Sequence, residues 1–158
     1  MKKLLAVLGI MALVFSGAAV AGAQGGKAKA KAKATSGVAY AGISHAEGKD
    51  LYVSGDFVDK LLGHGGIVYV TNVSNGQEQG EFVVKARKIT IYTTKGSLTG
   101  KGSATQVIHD DNTAEVKDGV FKLDKGTGKY KGHTFKGTFS GPQNAQGLYT
   151  FSYTGTYK

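Results

Sequence analysis

Polar and apolar residues alternate one by one along most of this chain, and that alternation restricts its fold more than any other feature. In the carboxyl-terminal run 148–157, Tyr149, Phe151, Tyr153 and Tyr157 share one parity, and serine and threonine occupy the other from residue 150 on. Successive side chains of a β-strand point to opposite faces, so the run predicts a strand with one aromatic face. From Ser36 onward no window has the apolar spacing of an amphipathic helix. The sequence therefore predicts an all-β domain.

Turn residues divide the alternating runs into eight predicted strands. These are Val38–Ser44, Leu51–Phe57, Ile67–Val73, Glu81–Thr94, Gly96–His109, Thr113–Leu123, Tyr130–Ser140 and Leu148–Tyr157. Asn75-Gly76 is the strongest turn signal, because both residues tolerate the positive φ of a two-residue hairpin. An open sheet of eight antiparallel strands exposes two edges, and closure removes both. We therefore predict a single eight-stranded antiparallel up-and-down β-barrel.

Composition excludes several classes of protein. The chain has 158 residues, no cysteine and one proline, which suits one domain. Without cysteine there is no disulfide scaffold, thiolate zinc site or thiol nucleophile. The net charge of +9 is concentrated in the first 33 residues, so the remainder is only mildly basic. The sequence therefore predicts no specific nucleic-acid partner.

The first 23 residues have the three-part order of a secretory signal peptide. Two lysines precede the apolar run Leu4–Phe15, and Ala21 and Ala23 form a small-residue cleavage pattern. The run of about a dozen apolar residues is shorter than the roughly 20 that span a bilayer. We expect cleavage after Ala23 and a secreted or periplasmic protein.

Residues 24–35 form a Lys- and Ala-rich segment for which we predict a disordered linker, because it has no apolar face and its like charges repel. Its lysines are Lys27, Lys29, Lys31 and Lys33. Two interpretations stay open: a solvated spacer, or a cationic arm that binds anionic envelope polymers or lipid headgroups. The predicted barrel domain then covers residues 36–158, and the pattern does not fix an oligomeric state.

No motif in the chain predicts a catalytic centre, a metal site or a bound cofactor. The four histidines lack the i, i+2 or i, i+4 spacing of metal ligands on one element. The glycine-rich segment Gly96–Ser103 lacks the spacing of a phosphate loop, and no nucleophile-elbow motif is present. Catalytic residues are therefore unassigned.

An eight-stranded barrel is filled by its own side chains or holds one small ligand. The candidate ligand-binding residues are Asp56, Tyr69, Arg87, Phe135, Tyr149, Phe151 and Tyr153. Arg87 has two open interpretations: it points inward with Ile89 and Ile91, or outward on the solvent face with Lys85. An interior of about 300 Å³ or more favours ligand binding, whereas a filled one favours a structural role.

Three stretches carry a resemblance to a known family. The segment Lys122–Phe139, with its Gly126-Thr127-Gly128 turn, resembles a segment of the allene oxide cyclase and dirigent barrel families. The ending Leu148–Tyr157 is similar to the closing strand of the cyclases, and Gly63–Tyr69 is similar to the glycine-rich approach to an aromatic strand in dirigent proteins. The resemblance implies an eight-stranded barrel. Plant members cyclise an allene oxide fatty acid or direct the coupling of phenoxy radicals, and none of their catalytic residues is transferred here.

Two functional hypotheses follow. The first is an exported barrel that binds a small apolar or aromatic ligand, with enzymatic activity open; an enzyme would be an isomerase or cyclase. The second is a non-catalytic envelope or matrix protein held by its lysine-rich arm. An outer-membrane barrel is disfavoured, because lysines and an arginine fall within the predicted strands.

Overall fold

The computed structural model describes residues 31–158, which form a closed barrel of eight antiparallel strands, so the predicted fold class is confirmed. The strands are β1 (Lys33–Glu47), β2 (Asp50–Asp59), β3 (Gly63–Asn75), β4 (Glu81–Thr93), β5 (Gly96–Ile108), β6 (Ala114–Gly126), β7 (Phe135–Gln143) and β8 (Leu148–Tyr157). Each strand pairs with its neighbours in chain order, and β1 pairs with β8 to close the ring. Within the described residues, no helix has the length and apolar character needed to cross a bilayer.

The first strand is longer than the sequence predicts. The alternation predicts a strand over Val38–Ser44, but β1 begins at Lys33, inside the predicted linker. Lys33 pairs with Tyr157 and Gly42 pairs with Leu148, so all of β8 is paired with the first ten residues of β1. Backbone hydrogen bonds to β8 extend the strand through residues whose side chains carry no apolar signal. The predicted signal peptide and the linker up to residue 30 lie outside the described residues.

The connection between β3 and β4 does not use Asn75-Gly76 as a tight turn, although these residues are its strongest turn signal in the sequence. Asn75 ends β3, and the chain loops through residues 76–80 before β4 begins. Gly76 donates its N–H to the Glu81 carbonyl at 2.7 Å, and the positive φ falls on Gly80. The left-handed backbone conformation that the turn needs is therefore supplied by Gly80, at the end of a five-residue loop.

The prediction that β7 begins at Tyr130 is also wrong. Tyr130 ends a short 3-10 helix, Gly128–Tyr130, and β7 begins at Phe135. Gly128 and Gly132 have positive φ, which interrupts an extended strand. The buried Tyr130 ring packs edge-on against Tyr157, with centroids 6.1 Å apart.

The barrel has two different ends. We call the end with loops 48–49, 76–80, 109–113 and 144–147 the open end, and the end with loops 60–62, 94–95 and 127–134 the closed end. Tyr130 and Leu62 are buried at the closed end, and Leu98 near them is 0% exposed. At the open end Ile43 and Val73 keep 46% and 38% of their surface exposed. The core is therefore sealed at one end only.

Candidate functional site

The interior of the barrel contains a cavity of about 120 Å³. Its lining reaches from Leu123 and Phe135, toward the closed end, to the exposed Ile43 and Val73 at the open end. Because the closed end is sealed by buried side chains, the open end is where a ligand would enter.

Unequal side-chain sizes around the barrel create this cavity. The wall formed by β6, β7 and β8 is aromatic, whereas Ala39 on β1, Ala86 on β4 and Ala104 on β5 all line the cavity with a single methyl group. Gly102 on β5 does not add to this space, because a Cβ there would lie 2.7 Å from the Val120 carbonyl oxygen and 2.9 Å from Ile89 Cδ1, which already occupy it. Methyl groups among larger side chains leave a gap that the rings do not fill.

The aromatic wall is a connected set of rings. Phe121 and Phe135 meet edge to face with centroids 4.8 Å apart, and Phe139 and Phe151 do so at 5.4 Å. Tyr149 stacks on Phe151 at 5.2 Å with an interplanar angle of 18°. Such contacts fix each ring in place, so the wall is a preformed aromatic surface.

A small polar group interrupts the apolar lining. The buried Gln106 amide donates to Gln143 Oε1 at 2.8 Å and to the Tyr149 hydroxyl at 3.5 Å. The Tyr69 side chain lines the same cavity. An apolar pocket with a few polar groups is the usual composition of a small-molecule site.

Both tyrosines of this polar group stay protonated. Burial raises the pKa of Tyr69 far above its ordinary value, and the nearby Tyr149 raises it further. Burial also raises the pKa of Tyr149, against the smaller opposing effect of the hydrogen bond from Gln106. The cavity therefore carries no ionised side chain from these residues at neutral pH, and it presents hydroxyl groups as hydrogen-bond donors and acceptors.

The structure brings five of the seven predicted ligand-binding residues together. Those lining the cavity are Tyr69, Phe135, Tyr149, Phe151 and Tyr153. Asp56 is instead exposed on the outside of β2, next to the buried Phe57.

Arg87 also lies outside the barrel, where its guanidinium contacts the carboxylate of Asp50. A β-bulge explains this position: Ala86 pairs with Gly102 and Ile89 pairs with Gly100, so residues 87–88 are opposite the single residue between those glycines. Ala86 and Ile89 both line the cavity, and the bulge directs Arg87 to solvent. Alternation alone left both interpretations of Arg87 open, because Lys85 and Ile89 have the same parity as Arg87, and the structure agrees with the outward one.

Sequence reasoning missed Gln106, the polar centre of the cavity. The only signal was a single amide in a strand whose neighbours of the same parity, Ala104 and Ile108, are apolar. It also gave no weight to the alanines that leave the cavity open, because alanine fits either face of a strand.

A second buried polar cluster lies at the closed end. Asp59 Oδ1 accepts hydrogen bonds from the Thr35 hydroxyl at 2.8 Å and from the N–H groups of Leu61 and Leu62 at 2.7 Å each. Asp59 Oδ2 and the Tyr153 hydroxyl are both buried without a hydrogen-bond partner. Burial raises the pKa of Tyr153, and the carboxylate of Asp59 adds to that effect.

Within residues 31–158, no three His, Asp or Glu side chains come close enough together to hold a metal ion. Comparisons with models of protein families, with curated proteins and with solved structures find no match to this chain. The fold itself defines the class of the molecule, a closed eight-stranded antiparallel β-barrel with an internal cavity.

Proposed function

We propose that this barrel binds a small apolar ligand of about the size of one aromatic ring, which enters at the open end. The observation that carries the proposal is the cavity of about 120 Å³, lined by aromatic and aliphatic side chains.

Cavity volume limits the ligand. Pockets for drug-sized molecules have roughly 300–1,000 Å³. An apolar cavity of about 150 Å³ is known to bind benzene. The cavity of this barrel, at about 120 Å³, is closer in volume to the benzene-binding cavity than to a pocket for a drug-sized molecule. A long-chain fatty acid derivative does not fit within it.

Binding of single-ring probes tests the proposal. Toluene and phenol are titrated into the protein and followed by NMR shifts, with oleate as the oversized probe. We expect saturable binding of the ring compounds and shifts concentrated on cavity residues. Ala104→Leu, which adds a branched side chain to the lining, is expected to weaken ring binding at least tenfold because it fills the cavity.

The matched control is Ala34→Leu, the same substitution at an exposed position of β1 outside the cavity. It is expected to leave ring binding unchanged. Absence of saturable ring binding by the folded protein, or equal effects of the two substitutions, would contradict the proposal.

As to family, we propose a relationship to the allene oxide cyclase and dirigent barrels. What supports it is the closed barrel of eight antiparallel strands and the aromatic closing strand β8. An isomerase or cyclase activity would act by holding a ligand in one conformation. No residue is assigned a catalytic role.

A second candidate function is attachment to the cell envelope through the arm, and one observation favours it. The lysine repeat joins the barrel where β1 begins, at Lys33, and so leaves the molecule at the closed end. An arm bound to an anionic surface would thus leave the open end of the cavity accessible.

This attachment requires export, which we propose from the leader sequence. We expect the intact mass of the secreted protein to correspond to a chain that begins at Gln24. A secreted protein that retains Leu4–Phe15 would contradict cleavage.

A further inference from the structure

Four neighbouring strands carry basic side chains in one row on the outside of the barrel. Lys101 on β5 pairs with Lys122 on β6, and Lys122 pairs with Lys136 on β7. The β4 bulge adds Lys88 to this row, because residues 87–88 are opposite Lys101. We call Lys88, Lys101, Lys122 and Lys136 the lysine row; all four are exposed.

This arrangement opposes stability. Like charges placed directly opposite each other on neighbouring strands repel. One acid acts within the row: Asp124 Oδ2 lies 2.9 Å from Lys122 Nζ. The strands β5, β7 and β8 contain no aspartate or glutamate. The repulsion is therefore largely uncompensated by acids of these strands, and an anion bound from outside would relieve it.

A second observation places a groove on the same surface. An open groove crosses the outside of β6, β7, β8 and β1, and its lining includes Lys122 and Lys136. The hydroxyl-bearing residues Thr138, Thr154 and Thr156 line it beside them. The hydroxyls of Thr138 and Thr154 lie 3.3 Å apart across the strand pair. The surface thus combines ammonium groups with a row of groups that both donate and accept hydrogen bonds.

We propose that the lysine row and this groove bind a linear anionic polysaccharide, one that carries carboxylate or sulfate groups and free hydroxyls. The row crosses three strand spacings, about 14 Å at about 4.8 Å each, so it matches charges repeated along a chain better than one small anion. The threonines match the sugar hydroxyls.

The chemistry of the surface distinguishes this partner from others. Single-stranded nucleic acid binds on exposed aromatic rings or stacked guanidinium groups beside the charges. The row consists of lysines, and the adjacent guanidinium of Arg87 is paired with Asp50. A membrane surface favours exposed aromatic and large apolar anchors beside the lysines. The groove is lined mainly by lysines and threonines, and its Phe121 packs against Phe135 in the interior, which leaves Val120 as the exposed apolar residue next to Lys122.

The test distinguishes binding by the lysine row from binding that depends only on the total charge of the protein. Purified protein is titrated with heparin, which is sulfated, with polygalacturonate, which is carboxylated, and with neutral dextran. The row variant Lys101→Gln/Lys122→Gln/Lys136→Gln is compared with the control variant Lys49→Gln/Lys60→Gln/Lys95→Gln, which removes the same charge from loops. Both are made in a protein whose arm is neutralised up to the start of β1 by Lys27→Gln, Lys29→Gln and Lys31→Gln; Lys33, the first residue of β1, is kept.

We expect the arm-neutral parent to bind at least one anionic polysaccharide at low salt, and the row variant to bind it at least tenfold more weakly. The control variant should stay within about twofold of the parent, and added salt should weaken binding of the parent more than that of the row variant. Because the substituted lysines of the row variant and of the control variant are exposed, melting temperatures near that of the parent are expected to confirm the fold.

Three results would overturn the proposal: no binding of either anionic polysaccharide by the arm-neutral parent, equal losses in the row and control variants, or row-dependent binding of single-stranded DNA or phosphatidylglycerol vesicles as tight as that of the polysaccharides. Binding of heparin alone or of polygalacturonate alone supports it and identifies the anionic group. Ring-probe binding in the cavity is measured separately and does not depend on the row.

Discussion

Gly37 allows two distant side chains to approach each other across a strand. It lies on β1 between Asp59 of β2 and Tyr153 of β8, and it pairs with both. A Cβ at residue 37 would lie 2.4 Å from the Tyr153 hydroxyl and 2.1 Å from the Val58 carbonyl oxygen. Only glycine at position 37 leaves room for the Tyr153 side chain. The buried polar cluster at the closed end therefore depends on Gly37.

Replacement of Asp59 tests that cluster. Asp59→Ala removes the acceptor of three hydrogen bonds and leaves buried donors unpaired, so we expect a loss of about 3 kcal/mol in the free energy of unfolding. Asp59→Asn keeps one oxygen and should cost about 1 kcal/mol. Urea denaturation measures both, and equal losses would show that the three hydrogen bonds contribute little.

Phe151 tests the aromatic wall. It is 8% exposed, contacts Phe139 and Tyr149, and borders the cavity on its remaining side. Because one side already lacks packing partners, we expect Phe151→Ala to cost about 3 kcal/mol, the lower end of the range for a buried phenylalanine.

The Phe151→Ala substitution should also enlarge the cavity, and a hydrophobic fluorescent probe too large for the parent should then bind. The control Tyr40→Ala, at a residue 54% exposed on the outside of β1, should change stability by less than about 1 kcal/mol. A loss below about 1 kcal/mol in Phe151→Ala with unchanged probe binding would contradict the inward position.

At the scale of strands, the sequence predicted most where one face is chemically uniform. The bounds of β8 agree with the prediction, because Tyr149, Phe151 and Tyr153 alternate with serine and threonine without interruption. Strands with bulges were harder. The bulge between Ala86 and Ile89 reverses the parity on either side of it, so the orientation of Arg87 depends on pairing with β5 that the sequence of β4 alone does not contain.

The cavity could be predicted only in part, for a similar reason. Which aromatic residues point inward follows from alternation within one strand. Whether they fill the interior depends on residues of other strands that line the same space, such as the alanines Ala39 and Ala104. The volume of the cavity therefore depends on how the strands pair, and it cannot be predicted from any one strand.

Lys101 offers a test at this scale. It faces Lys122 on one side and the bulge with Lys88 on the other, so Lys101→Gln should raise the free energy of unfolding by up to about 0.5 kcal/mol at low salt. In about 1 M salt the gain should vanish, because exposed charges are screened within about 3 Å. Paired urea titrations at low and high salt measure this, and a loss of stability at low salt would contradict repulsion along the row.

For the whole molecule, buried tyrosines predict a limit of stability at alkaline pH. Burial raises the pKa values of Tyr69, Tyr149 and Tyr153 in the folded barrel, whereas the unfolded chain keeps values near 10. Below pH 10 the folded barrel and the unfolded chain both keep these protons, so these tyrosines do not make the free energy of unfolding depend on pH. Above pH 10 the unfolded chain loses them first, so stability falls as pH rises, by up to about 1.4 kcal/mol per pH unit for each such tyrosine.

Urea denaturation between pH 8 and 11, with tyrosine ionisation followed by ultraviolet absorbance, measures this effect. We expect some of the eight tyrosines to ionise only as the barrel unfolds. Ionisation of all eight near pH 10 in a barrel that remains folded would show that the buried hydroxyls are accessible to solvent.

Closure of the ring by β1 and β8 has a consequence for the order in which the barrel folds. The first strand finds one of its two partners in the last ten-residue strand, which ends one residue before Lys158. Until β8 pairs with them, β1 and β7 each keep one unpaired side, and the sheet is open. Because the residues that pair, such as Lys33 and Tyr157, lie far apart in the sequence, closing the ring carries the entropic cost of a long loop, and we expect ring closure to be the slow step of folding.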